Sequence, residues 1–200
     1  MTLLEFNKFI SDGSVFLENL IIELLKKSID IENIKCDHLC FRVDSIENYQ
    51  LFSNGLSNYG ELLTESMVNG RPICIFRLNA RFKFRNFETS IVELPAPKIG
   101  SPYKTGFEHA EFVISEDLNS FAHKYSHLNF SIIKKNSNSE LLLPMSCGQV
   151  KFHRISLERI IEIEKSKITD VIFDFDGTLI NSRDAIYEIN RQLDQRMMKT

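Results

Sequence analysis

Cysteine is scarce in this chain and badly spaced for cross-linking: four residues in 200, Cys36, Cys40, Cys74 and Cys147, with no CxxC pair. That density excludes a disulfide-built scaffold and predicts reduced thiols in a cytoplasmic protein. Glycine and proline are also few, 8 and 5 residues. Together with 43% hydrophobic and 26% charged residues, they give an ordinary globular composition. Neither sign of charge prevails. The net charge is −3 at pH 7, so a nucleic acid is not expected as a partner. Long apolar runs are missing too. FLENLIIELL, the most apolar helical stretch, carries two glutamates within ten residues and is too short to cross a bilayer. MTLLEFNKF places Glu5 where a secretory signal would turn from basic to apolar. No membrane partner is expected.

What is present is a change of period. Leu3, Leu4, Phe6, Phe9 and Ile10 recur at helical spacing, and Asp12-Gly13-Ser14 predicts a break before a second helix capped by Ser14. From about residue 34 the period becomes two. CDHLCFRV (36–43) predicts a strand with Leu39, Phe41 and Val43 on one face and His38, Cys40 and Arg42 on the other, with Cys36 on the His38 side. Ser45 then caps a helix over 46–57. Strands follow at ELLTES, RPICIFRL and FETSIVEL, with Asn69-Gly70 as a turn. The same order recurs. EHAEFVI (108–114) repeats DHLCFRV 71 positions later as acid, His, two residues, Phe. A helix with the stripe Leu118, Phe121, Ala122 and Tyr125 comes next, then FSIIKK, ELLLP, QVKFHRI and a closing helix, LERIIEIEK. The fold class is therefore α+β, with two βαβββ modules behind N-terminal helices.

Alternation decides which side chains meet. If Ala110, Phe112 and Ile114 pack under the helices, His109 and Glu111 take the opposite face. If Val150 and Phe152 do so, Lys151 and His153 face away with them. Glu93 takes the same open face, though Ile91 shares it. Two sheets curling together would converge His38, Glu93, His109 and His153. Three imidazoles and a carboxylate suit Zn, Fe, Mn or Ni as a divalent cofactor, and suit calcium poorly. Glu111 is placed to orient a ligand or to act as general base. Arg42, Arg71 and Lys151 are the candidate substrate-binding cations and suggest an anionic group. His123 and His127, at helical spacing without a carboxylate between them, read as a solvated face. The interleaved FRLNARFKFRNF reads as strand–turn–strand.

CDHLCFRV, NGRPICIFRL, SIVELPAP, GFEHAEFVI and VKFHRISLE, in this order, resemble the YecM family, a branch of the vicinal oxygen chelate (glyoxalase-like) superfamily. The resemblance covers residues 1–165. It implies paired βαβββ modules and a metal held by strand-borne His and Glu residues, at positions matching His38, Glu93, His109 and His153. It implies no single reaction, because the superfamily spans isomerases, lyases, dioxygenases and metal-free binders.

A last stretch differs in kind. ITDVIFDFDGTLINS (168–182) resembles the opening motif of haloacid-dehalogenase-like (HAD-like) phosphohydrolases, with Asp174 as nucleophile and Asp176 as acid/base. By that resemblance Mg²⁺ would join them were the domain complete. Only 22 residues follow Thr178, room for one helix, so phosphatase activity is not expected of this chain. The predicted domains are 1–30, N-terminal helices; 31–165, the paired modules; and 166–200, a HAD-like strand–loop–helix fragment. The expected function is a metal-dependent enzyme of the vicinal oxygen chelate type, acting on a small oxygen-bearing substrate. The alternatives are a non-catalytic ligand- or partner-binding domain of the same fold, or one part of a bifunctional phosphatase. Oligomeric state, metal identity and substrate stay open.

Overall fold

Thr2 and Glu5 start the first helix with a reciprocal capping box. The Glu5 amide donates to the Thr2 hydroxyl, and the Thr2 amide donates to the Glu5 carboxylate at 2.7 Å. In this computed structural model, which describes residues 1–98, 100, 103–135 and 138–167, α1 then runs unbroken over Leu3–Lys26. The expected break at Asp12-Gly13-Ser14 does not occur. Gly13 is buried where a Cβ would lie 2.5 Å from the Phe82 ring and 2.7 Å from Phe107. Its role is close packing, not helix termination. Ser14 caps nothing: its hydroxyl donates to the Ile10 carbonyl and accepts from the Lys83 amide. Burial of Phe6, Phe9, Phe16, Leu17, Leu20, Ile21 and Leu24 offsets the roughly 1 kcal/mol that a glycine costs inside a helix.

Two βαβββ modules follow. The first is β1 (Ile34–Arg42), α2 (Ile46–Leu56), β2 (Gly60–Val68), β3 (Arg71–Phe84) and β4 (Phe87–Pro95). The second is β5 (Gly106–Ile114), α3 (Leu118–Lys124), β6 (Ser131–Ile133), β7 (Glu140–Met145) and β8 (Gly148–His153), with α4 (Leu157–Lys167) after it. Ser45 caps α2 and Asp117 caps α3 through side-chain oxygens. Asn69 and Gly70 both take positive φ, 51° and 77°, as a tight hairpin turn demands. The eight strands form one sheet in the order β2-β3-β4-β1-β5-β8-β7-β6. This is the α+β class of two βαβββ modules that the repeat predicts.

The sheet's centre turns the sequence repeat into a local two-fold rotation. β1 and β5 run antiparallel, with Leu39 opposite its own sequence equivalent Ala110, His38 opposite Glu111, and Cys40 opposite His109. Each is flanked by a parallel partner, β4 beside β1 and β8 beside β5. One sheet face carries the main core: Leu39, Phe41, Val43, Ala110, Phe112, Ile114, Val150 and Phe152 pack with α1 and Phe121. On the other, Leu63, Ile75 and Ile91 form a smaller cluster with Ile161 and Leu157 of α4. That accounts for Ile91 sharing a face with Glu93.

Two further expectations are corrected. Cys36 does not share the His38 face: a register shift between Cys36 and His38 interrupts the alternation, and Cys36 joins the main core. His123 and His127 do not share a helix, because α3 ends at Lys124 with Tyr125 as its cap; both are exposed. The 168–182 motif, with Asp174 and Asp176, lies outside the described residues. Among the described residues no helix is long and apolar enough to cross a membrane.

Candidate metal centre

The repeated acid–His dipeptide builds the centre. His38 Nδ1 lies 3.0 Å from Asp37 Oδ2, and His109 Nδ1 lies 3.0 Å from Glu108 Oε2. A carboxylate at Nδ1 fixes the ring and favours a lone pair on Nε2, the tautomer a metal ligand needs. Both Nε2 atoms are aimed at one oxygen, Glu111 Oε1, at 3.6 Å from His38 and 3.2 Å from His109. The other Glu111 oxygen is 3.4 Å from His153 Nε2. The His38 ring centroid is 6.4 Å from that of His109 and 6.4 Å from that of His153. Rings on β1, β5 and β8 therefore meet around a carboxylate on β5. All four side chains are buried, none more than 5% exposed.

His153 is presented differently. Asn138 Nδ2 donates to the Ile155 carbonyl at 2.7 Å and also lies 3.3 Å from His153 Nδ1. An amide donor there leaves the proton on Nε2, which lies 3.4 Å from Asp37 Oδ2. Among the described residues, two overlapping groups of ligand atoms lie within 4.8 Å of one another at this centre: His38–His109–Glu111 and Asp37–His38–His153. A third, Cys40–Glu108–His109, adjoins them. Glu93 is in none of these groups, although it lines the cleft. Asp37 escapes strict alternation, which sets it opposite His38. The register shift beside it lets neighbouring residues share the site. The signal for its role was the acid that precedes His in both repeats.

Charge is dense here. Burial works against a proton on His38, but the Glu111 carboxylate and the Asp37 hydrogen bond outweigh it and push the imidazole up to about 10. Burial likewise opposes charge on Glu111, yet His38, His109 and Lys151 hold it well below the usual carboxylate range. Glu93 is held low against burial by His109 and His38. Burial, with the nearby His38, lowers His153 more than its acidic neighbours Glu111, Asp37 and Glu140 raise it.

The candidate cations divide. Lys151 is in the centre itself, its Nζ 2.6 Å from Glu111 Oε1 and 3.2 Å from His109 Nε2. Arg42 donates through Nε to Glu108 at 2.5 Å and stacks 4.9 Å over the Tyr103 ring, with Nη1 buried and unpaired. Arg71 is elsewhere. It donates to the Ala96 carbonyl and lines a separate cleft with Pro72, Pro97 and Lys98.

The cleft over the centre holds about 140 Å³, bounded by Lys135, Asn138 and Glu140 of the second module and by Leu157 and Ile160 of α4. Three buried polar atoms that lack a hydrogen-bond partner belong to its lining: His38 Nε2, His153 Nε2 and Glu140 Oε2. The His38 Nε2 lone pair that its Asp37 contact favours, with the Glu140 and Glu111 carboxylate oxygens beside it, fits a small divalent ion of the first transition row. A larger groove of about 360 Å³, lined by Phe9, Phe41, Leu51 and Phe52, lies on the helix side of the sheet, away from the histidines.

Paired βαβββ modules with a buried imidazole–carboxylate cluster at their junction define the class. The YecM protein family model matches residues 5–149. The chain is 32% identical over 155 residues to Protein YecM of Escherichia coli (strain K12), spanning 69% of this chain and 82% of that protein. It is 35% identical over 105 residues to an uncharacterized protein of Haemophilus influenzae, spanning 52% of this chain and 54% of the other. A solved structure, the structural-genomics protein EC4020, superposes with a TM-score of 0.69 at 29% identity, covering 80% of this chain and 93% of that one. The chain belongs to the YecM family.

Proposed function

We propose that this protein is a metal-dependent enzyme of the vicinal oxygen chelate type, acting on a small oxygen-bearing substrate. One observation carries the proposal: two imidazoles from equivalent strands, each held at Nδ1 by its own acid, aim Nε2 at a single oxygen of Glu111. His38, His109 and Glu111 would hold the ion, with His153 and Glu93 at its margin. A bound divalent ion would polarise a substrate oxygen. Glu111 would be a ligand through Oε1, which both imidazoles face, and its second oxygen, toward His153, would be the candidate general base. Asp37 and Glu108 fix the rings. Leu157 and Ile160 give the cleft an apolar edge. Its volume of about 140 Å³ admits a substrate of only a few heavy atoms, or one end of a larger molecule.

The metal content of purified protein tests this. Wild type should carry close to one divalent ion per chain after exposure to Zn²⁺ or Mn²⁺ and desalting, and a His38→Ala/His109→Ala double variant almost none. Equal content in both ends the proposal. A second function, a metal-free small-ligand binder of the same fold, is favoured by one observation: Lys151 already supplies a cation to Glu111.

A further inference from the structure

Lys151 occupies the corner at which the ligand atoms converge. Its Nζ is 2.6 Å from Glu111 Oε1, the same oxygen that both imidazoles face, and 3.2 Å from His109 Nε2. A first-row ion takes carboxylate oxygen and imidazole nitrogen at about 2.0–2.2 Å. An ammonium hydrogen-bonded to those two atoms competes for the same lone pairs and repels the ion's charge. The lysine and the ion exclude one another.

The displaced ammonium has a place to go. Glu140 on β7 is 4% exposed. Its Oε1 is taken by Lys135, while Oε2 is buried with no hydrogen-bond partner and lies 3.8 Å from Lys151 Nζ. A swing of about 1 Å brings that separation to hydrogen-bonding distance. An unpaired buried acceptor is costly and is seldom left without a use. Here it lies just beyond reach of the one cation that must move. Nothing equivalent exists in the first module, where the position matching Lys151 is Glu93.

We infer that Lys151 is a gate for the metal centre: its ammonium holds Glu111 and His109 while the site is empty, and transfers to Glu140 Oε2 when the site is loaded. This rests on the metal proposal above and adds its regulation. Metal affinity is set by the exchange of one internal cation, so a ligand that engages Glu140 with its own cation would keep the gate shut.

Isothermal titration with Zn²⁺ and Co²⁺ at one fixed pH tests the gate on four proteins, wild type, Lys151→Met, Glu140→Gln and the double variant, with Lys151→Gln as a control. Lys151→Met should bind at least about tenfold tighter, and Lys151→Gln should follow it. Glu140→Gln should bind severalfold weaker in the wild-type background and within about twofold of unchanged in the Lys151→Met background, because the acceptor matters only when there is a lysine to receive. Binding by Lys151→Met where wild type binds nothing overturns the gate, since a lysine that never yields to the ion occupies the site rather than regulating it. Wild type binding as tightly as Lys151→Met overturns the gate and leaves the metal proposal standing. Equal losses from Glu140→Gln in both backgrounds also overturn it, since Glu140 would then be a plain counter-charge. No binding by any of the four overturns both. Circular dichroism on each variant establishes that it is folded, and Lys151→Gln keeps the test open should Lys151→Met fail to fold.

Discussion

Glu93 and Lys151 occupy equivalent places in the two modules and carry opposite charge. Glu93 lies beside Cys40 in the β1–β4 ladder, and Lys151 beside Glu111 in the β5–β8 ladder. Cys40 and Glu111 are themselves 71 positions apart, the period of the repeat. The first module therefore presents His, Cys, Glu where the second presents His, Glu, Lys. The acid has moved one strand inward and a cation stands in its former place. The cluster's centre is thus Glu111 rather than the two-fold axis.

Glu111→Gln should be among the most damaging single changes in the protein. It strands the half-buried Lys151 ammonium and the buried His38 imidazole without their main counter-charge. Breaking such a pair costs on the order of 3–5 kcal/mol. Urea denaturation should show that loss, and adding Lys151→Met should recover a large part of it. A Glu111→Gln protein as stable as wild type would mean that the carboxylate is not the hub.

Stability should fall in acid through Glu108. Burial raises its pKa, but His109 and Arg42 outweigh that and bring it to about 2. A folded-state pKa below the unfolded one contributes stability that is complete above about 4.5 and is lost as pH falls toward 2. The side chain is 27% exposed, which trims the contribution to on the order of 2 kcal/mol. Wild type should exceed Glu108→Gln in stability at pH 7, and the gap should close between pH 4.5 and 2. A gap that does not change with pH would contradict it.

Two glycines should respond differently to alanine. At Gly148 a Cβ would lie 2.2 Å from the Glu108 carbonyl oxygen of the adjacent strand β5 and 3.1 Å from Phe16. The backbone cannot yield without opening the β5–β8 ladder, so Gly148→Ala should cost about 2–4 kcal/mol. At Gly70 nothing lies within 4 Å, but φ is +77°, and alanine should cost only about 1 kcal/mol of backbone strain. Thermal melting of the two variants measures the contrast.

Asp37 ties the start of α4 to the centre. Its Oδ2 accepts from the Leu157 amide at 2.9 Å while also bonding His38. Asp37→Ala should leave α1 amides protected and speed hydrogen exchange at Leu157–Ile161. Unchanged protection there would mean that the Ser156 hydroxyl and the packing of Ile161 suffice to hold the helix.

Much of this is legible in the sequence alone. A period of two assigns every strand residue to a face. Hence Leu39, Ala110, Val150 and Phe152 were readable as core, and His38, His109, Glu111, Lys151 and His153 as their opposites. Alternation misleads where a period is interrupted or a residue has two uses. The shift at Cys36–His38 turned Cys36 inward and brought Asp37 to the centre. Gly13, a breaker by local preference, is a packing contact because Phe82 and Phe107 need its missing side chain.

The chain's own order of residues thus determined the two modules, their strands and caps, and which side chains share the open face, because those depend on neighbours a few positions apart. Tertiary structure alone decided where along that face they meet. The antiparallel register of β1 on β5 set His38 and Glu111 across from each other. The parallel register of β5 on β8 set Lys151 beside Glu111. Registers depend on pairing between strands distant in sequence, and a step of one residue along a strand is about 3.3 Å, enough to separate an ion from its ligand.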